Sequence, residues 1–265
     1  MNPSFSTAKI IGSGLIGTSI ALSLKAAGVS VQMQDLDSNT ERLAMDLVHG
    51  SIIDDPDLII VSASIDVNLN LILDSLKRYP RSIVVDIASV KSNLIDDVIK
   101  LSENPQNFIS SHPMAGREVS GAESARADLF LGRSWIGIES TNTSNLTKQA
   151  LSDLVEICGA TLYWLTANEH DQAVAAISHL PQIISTTLAY SLEEKGVNSF
   201  NLAGQGLRDV LRLSGSNPKL WGELLIANKD ALQPFLSSFS QALLDLQKAL
   251  ESNNQKEIEL SLIHI

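Results

Sequence analysis

The 265-residue chain has one cysteine, Cys158, so no disulfide can form within it. A reducing compartment is the simple reading. Cys158 lies in the apolar stretch "LVEICGA", where a packed core thiol is expected rather than a nucleophile. Aromatic residues make up only 5%, so Leu, Ile, Val and Ala must fill the core. Basic residues are also scarce: 19 Lys and Arg face 30 Asp and Glu, a net charge of −11. Such a surface repels phosphate backbones and argues against a general nucleic-acid binder. It does not exclude an anionic substrate, because a few well-placed Arg or His side chains reverse the field locally. No apolar run approaches the roughly 18 residues of a membrane span. The start "MNPSFSTAK" lacks the basic and apolar segments of a secretory signal. A cytoplasmic protein without a metal site is therefore expected.

No tract rich in Gly, Ser or Pro, no internal repeat and no low-complexity segment divides the chain. A change of pattern does. Up to about Leu165, short apolar runs alternate with helical spacing. "AKII", "SVQMQD", "DLIIVSAS", "SIVVDIAS", "NFISSH", "SWIGIE" and "TLYWL" read as strands. Several lack polar alternation, as expected of a mainly parallel sheet covered on both faces. Ser38 is a plausible N-cap of the helix after the second strand. From "TANE", a capping box of Thr166 and Glu169, the pattern is helical: 167–195, 199–213, 218–228 and 230–251. This predicts an α/β dinucleotide-binding domain over 1–166 and an all-helical domain over 167–265. About 100 helical residues make a thin core alone, so pairing with a second copy is expected.

"GSGLIG" places Gly12, Gly14 and Gly17 at the spacing of a dinucleotide loop, with Ser13, Leu15 and Ile16 between them. The loop follows a strand and opens a helix, the context that the motif needs. Gly12 permits the turn, Gly14 lets a pyrophosphate approach, and Gly17 brings the helix close to the sheet. Asp35, at the end of the second strand, is placed to accept from two ribose hydroxyls and to repel a 2′-phosphate, which favours NAD over NADP. Asp37 competes for that role, and Arg42 could serve a phosphate. Ser62, Ala63 and Ser89 fall at the carboxyl edge, where open sheets bind ligands. Ser89 is equally placed to cap a helix. His112 reaches the same edge, where an imidazole suits a base for an alcohol dehydrogenation. Pro113 and Gly116 hold the turn after it.

"SHPMAGRE" at 111–118, preceded by "DIASVK" and followed by "GAESARADLFLGRSW", resembles the prephenate and arogenate dehydrogenases of tyrosine biosynthesis. So do "SHLPQ" at 178–182 and "GLRDVLRLSGSNPKLW" at 206–221. The resemblance runs from Ile10 to about residue 250. It implies a Rossmann-type, doubly wound domain followed by an all-helical dimerisation domain, hence a homodimer. It also implies NAD-dependent oxidative decarboxylation of a cyclohexadienol substrate. By the same resemblance His112 accepts the hydroxyl proton, Ser89 bonds this histidine, and Arg212 holds a substrate carboxylate. Arg208 shares the helical face of Arg212, and Asp209 stands to fix the Arg212 guanidinium. His179, Glu118 and Trp221 match positions near the substrate. His170 and His179, nine residues apart, should point to opposite sides of one helix, and the "SHLP" motif favours His179 as the substrate-side residue. Pro181 should kink that helix. Gln182 stands where the family often has histidine. A 6-phosphogluconate-type hydroxyacid dehydrogenase is a weaker reading, since Lys195 comes late. An imine reductase, or a sensing module without turnover, would leave His112 without a task.

Overall fold

The computed structural model describes residues 3–116, 119, 121–194, 202–261 and 263. It forms two compact units, Met1–His170 and Asp171–Ile265. The first is built on seven strands: β1 (Thr7–Ile11), β2 (Ser30–Gln34), β3 (Leu58–Val61), β4 (Ile83–Asp86), β5 (Phe108–Pro113), β6 (Ser134–Glu139) and β7 (Thr161–Thr166). Their order is β2-β1-β3-β4-β5-β6-β7. The first five are parallel; β6 runs antiparallel to β5, and β7 runs with β6.

Every residue of β3 and every residue of β4 is buried. That is why these strands read as unbroken apolar runs: both faces carry helices. Alternate side chains serve the two sides. Ile60, Val85 and Ile109 pack in one cluster with Ile20 and Leu24 of helix α1 (Leu15–Ala26) and Leu154 of α5 (Asn145–Ile157). Ile59, Val61, Val84 and Phe108 pack in the other, with Ile72 and Leu76 of α3 (Ile65–Arg78) and Ile95 and Val98 of α4 (Ser92–Leu101). Each such burial contributes about 1.5–3 kcal/mol. Cys158 lies in the first cluster, and burial pushes its thiol up to about 12, so it is inert packing.

The sheet order reverses between β1 and β3. The chain runs out to β2 at one edge, over α2 (Ser38–Val48), and returns to the other side of β1. The turns after β1 and β3 therefore diverge and leave a crevice at their carboxyl ends, the place where doubly wound sheets bind ligands.

The remaining elements are helical. The helix α6 (Ala167–Val174) starts on the Thr166–Glu169 capping box, in which the Glu169 carboxylate accepts from Thr166 N–H at 2.8 Å and its hydroxyl at 2.7 Å. A five-residue π turn, Ala175–His179, joins it to α7 (Leu180–Glu194). The helical path expected over 167–195 is thus followed as far as Glu194, with one π turn inside it, and Lys195 lies outside the described residues. Pro181 has no N–H for the carbonyl of Ile177, and the chain takes up the defect as a wider turn just before it. The helix expected over 199–213 runs, among the described residues, as α8 (Gln205–Leu211) and ends in a 3₁₀ turn, Arg212–Gly215. Then come α9 (Pro218–Ala227), capped by Asn217, α10 (Lys229–Glu251) and α11 (Gln255–Ser261). Within this unit Gln182 donates to the carbonyl of Leu213 at 2.8 Å and Ser185 to that of Val210 at 2.6 Å, docking α7 on the Arg212 turn. No helix among the described residues is long and apolar enough to cross a membrane.

Candidate active site

The glycine loop has the three distinct environments that its motif requires. Gly12 has φ +106, and a Cβ there would lie 2.1 Å from the carbonyl oxygen of Ser62. Gly17 is equally tight: a Cβ would sit 2.1 Å from the carbonyl oxygen of Gly12. Gly14 is different, with nothing within 4 Å of an added Cβ. Two glycines are thus fixed by the protein's own packing, and the third faces open space where a ligand can approach. Gly14 also caps α1 without a side-chain acceptor, and the first turn carries no acidic residue. That N-terminus is suited to an anion. Ser13 Oγ is buried in the same loop without a hydrogen-bond partner. These residues fit a dinucleotide pyrophosphate.

Asp35 follows β2, and its carboxylate accepts the Ser13 N–H at 2.7 Å. Asp37 is committed elsewhere. It caps α2, accepting from Asn39 N–H and the Thr40 hydroxyl, each at 3.0 Å, and these bonds lower its pKa. The expected cap, Ser38, is instead the first helical residue. Asp37 supplies an ionised acceptor one position earlier. Arg42 is exposed and bonds Asn39 at 3.2 Å. Ser62 and Ala63 directly follow β3, across from Gly12.

Beside β3, β4 ends in Asp86, which is fully buried and whose carboxylate accepts four hydrogen bonds from the described residues. Asn68 Nδ2 and Ala88 N–H reach Oδ1, both at 2.7 Å. Lys91 Nζ at 2.6 Å and Ser110 Oγ at 2.5 Å reach Oδ2. Lys91 is itself 0% exposed. Removing one member of a buried pair leaves an uncompensated charge, at about 3–5 kcal/mol. The network fastens the Ala88–Lys91 loop, which carries Ser89, to β5, which carries His112. Ser111 adds a bond to the carbonyl of Asp86 at 3.0 Å and accepts from the Trp135 indole at 3.0 Å. Lys91 is the N-cap residue of α4, so Ser89 is not its cap.

His112 Nδ1 lies 2.9 Å from Nε2 of His170, with the rings in a T-shaped arrangement, centroids 5.1 Å apart. His170 is fully buried on α6.

In the helical unit, Arg208 and Arg212 line one concavity of ≈ 320 Å³ with Ala203, Leu207 and Leu211. Both side chains are exposed. Asp209 accepts from Gln205 at 2.7 Å. His179 is buried; its Nδ1 lies 3.1 Å from Asn228 Nδ2, and its ring meets Trp221 edge-on at 5.8 Å. Asn228 Nδ2 also donates to the Asp171 carbonyl at 2.9 Å, which fixes the amide orientation. His179 Nδ1 is therefore the acceptor, and Nε2 carries the hydrogen of the neutral ring. Glu118 lies outside the described residues.

Residues 20–164 match the nucleotide-binding domain of prephenate dehydrogenase, and residues 166–263 match its dimerization domain. The chain belongs to the prephenate dehydrogenase family. A Streptomyces niveus relative, named as a probable prephenate dehydrogenase, NovF, is 31% identical over 92% of this chain and 68% of its own. The arogenate dehydrogenase of Synechocystis superposes with a TM-score of 0.80 at 27% identity, covering 97% of this chain and 96% of that one. A prephenate dehydrogenase from A. aeolicus, solved with hydroxyphenyl propionate and NAD+, gives 0.87 at 22% identity, with 98% and 96% covered. At that identity the likeness is one of fold.

In this member of the prephenate dehydrogenase family, the first unit brings together the glycine loop, Asp35, Ser62 and Ala63 at the crevice, and carries Ser89 and His112 on neighbouring strand ends. Reading the sequence missed three side chains. Asp86 and Lys91, charged residues at a strand end and in the following loop, carry no local signal of burial. His170 was set aside in favour of His179, although the "EHD" sequence at 169–171, just inside the capping box, offered a second candidate.

Proposed function

We propose that the chain oxidatively decarboxylates prephenate or arogenate, with NAD+ as hydride acceptor. The observation that carries this is His112, at the carboxyl edge of β5, tied through Asp86 to the Ser89 loop and set in the same sheet edge as the glycine loop.

The cofactor, when bound, supplies the hydride acceptor. The protein residues manage position and one proton. The N-terminus of α1 and Asp35 hold the dinucleotide, and the Asp35 carboxylate disfavours a 2′-phosphate, hence NAD rather than NADP. His112 Nε2 takes the hydroxyl proton as hydride leaves the carbinol carbon. The bond from ring to carboxylate then breaks, carbon dioxide departs, and its electron pair completes the aromatic ring. The proton on Nε2 returns to the phenolate oxygen. Aromatisation drives the sequence, so alignment and charge control suffice. Ser89 steadies His112 and the nicotinamide region.

Arg212 binds a substrate carboxylate, with Arg208 adding charge in the same concavity. In a chain of net charge −11, such a cationic pair is what a dianionic substrate needs. Glu118, His179, Asp209 and Trp221 are proposed on the substrate side through the family pattern. A homodimer through the helical unit is supported by the dimerization-domain match and by exposed apolar side chains, Ile226 and Leu243 among them. Few residues of this unit are buried: of the 23 in α10, Leu232 and Ala249 are. The buried free thiol at Cys158 suits a reducing, cytoplasmic setting.

The test is formation of reduced nicotinamide from NAD+ with prephenate and with arogenate. Turnover on at least one is expected, with Arg212→Ala raising the substrate KM by about 10- to 100-fold. No turnover on either substrate contradicts the reading.

A further inference from the structure

We propose that His170 is a positioning residue for His112: it accepts the His112 Nδ1–H and so presents Nε2 of that ring as an unprotonated base. The inference deepens the function proposed above and rests on it for the role of His112.

Two neutral imidazoles 2.9 Å apart can bond in only two ways. If His170 donates from Nε2, then His112 carries its hydrogen on its own Nε2 and cannot take a proton from a hydroxyl there. If His112 donates from Nδ1, its Nε2 holds a lone pair and is the base. Only the second arrangement serves the reaction, and it requires His170 to carry its hydrogen on Nδ1.

The same bond persists through the proton transfer. When Nε2 gains the hydroxyl proton, the imidazolium still donates from Nδ1 to His170, so no group has to reorient. His170 is 0% exposed, which denies bulk water the acceptor's place. Its position is fixed from the preceding turn, where Glu169 accepts from Thr166 and keeps its carboxylate below the usual range.

A neutral orienter also suits this chemistry better than an anionic one. A carboxylate beside His112 would hold the imidazolium tightly. Here the proton must return to a phenolate oxygen within the same turnover. An uncharged imidazole fixes direction and tautomer while leaving the ring willing to give the proton back.

The test has two arms, both on the full chain. Nitrogen-15 imidazole spectra, with the His112 signal assigned by its loss in His112→Asn, report which nitrogen bears hydrogen. The expected result is Nδ1–H in the wild type and in His170→Gln, whose amide oxygen can accept, and Nε2–H in His170→Leu. In steady-state kinetics His170→Leu loses about 100-fold in kcat, while KM for NAD+ and for substrate stay within about threefold. His170→Gln recovers to within about tenfold of wild type. A wild-type His112 protonated on Nε2 overturns the proposal, and that outcome does not depend on any His170 variant folding. So does a Gln variant as impaired in kcat as the Leu variant. If His112→Asn turns over like wild type, the functional reading fails, and the spectra still decide the pair.

Discussion

The Asp35 carboxylate accepts the backbone N–H of Ser13 at 2.7 Å, so the turn after β2 holds the glycine loop after β1. Its other oxygen accepts from Asp37 N–H at 3.1 Å, while its own N–H donates to Glu41 at 2.9 Å. A carboxylate has about four acceptor sites. Two protein bonds leave capacity for ribose hydroxyls. One side chain thus shapes the loop and keeps acceptor capacity for the proposed cofactor.

Asp35 and Asp37 should separate cleanly under mutation. Asp35→Ala is expected to raise KM for NAD+ at least about tenfold, since it removes bonds to a charged acceptor. Asp37→Ala removes a helix cap, costing about 1 kcal/mol of stability, and should leave KM for NAD+ unchanged. Thermal melts with NAD+ titrations measure both. Loss of NAD+ affinity in Asp37→Ala would transfer the ribose role.

The glycines make a second contrast. Gly12→Ala drives a Cβ into the Ser62 carbonyl at a positive φ, so the fold itself should suffer by about 1–3 kcal/mol or more. Gly14→Ala meets no protein atom within 4 Å, so its melting temperature should match wild type. Its Cβ stands in the ligand's space, so NAD+ affinity should fall at least about tenfold. Calorimetry gives both numbers. A Gly14→Ala protein that binds NAD+ normally would mean that the pyrophosphate does not approach there.

Asp57 predicts a pH signature. Burial alone would raise its pKa, but Ser6 N–H and hydroxyl and Thr7 N–H donate to it and win, so the folded value lies below the ordinary one. A depressed carboxyl stabilises the fold above its unfolded pKa, about 3.9. That contribution disappears as pH falls through the lower folded value. Asp57→Asn should therefore be less stable than wild type near neutrality, and denaturant midpoints of the two should converge as the solution is acidified below the unfolded value. A constant difference across that range would point to lost geometry rather than lost charge.

The central strands β3 and β4 were legible because buried parallel strands show unbroken apolar runs, "LIIV" and "IVVD". The glycine loop was legible because its spacing reflects backbone contacts within the loop and with β3. Side-chain partners were not. Nothing local says that Lys91 is buried, since lysine ordinarily marks solvent, and the Asp86 carboxylate that it meets is shared with Ser110 on the neighbouring strand. His170 and His179 were weighed as members of one regular helix. The π turn at Ala175–His179 breaks that geometry. His112, which meets His170, lies 58 residues away on β5, beyond any helical period. The cap of α2 falls one residue before the expected Ser38, because the Asp37 carboxylate is the oxygen that meets Asn39 N–H.

The most direct test of the account is the turnover of His112→Asn beside its NAD+ affinity. Asparagine keeps a polar side chain of similar reach but cannot accept a proton at neutral pH. The account predicts a fall in kcat of about 100- to 10,000-fold, with NAD+ binding as in wild type. Wild-type turnover in that variant would contradict it.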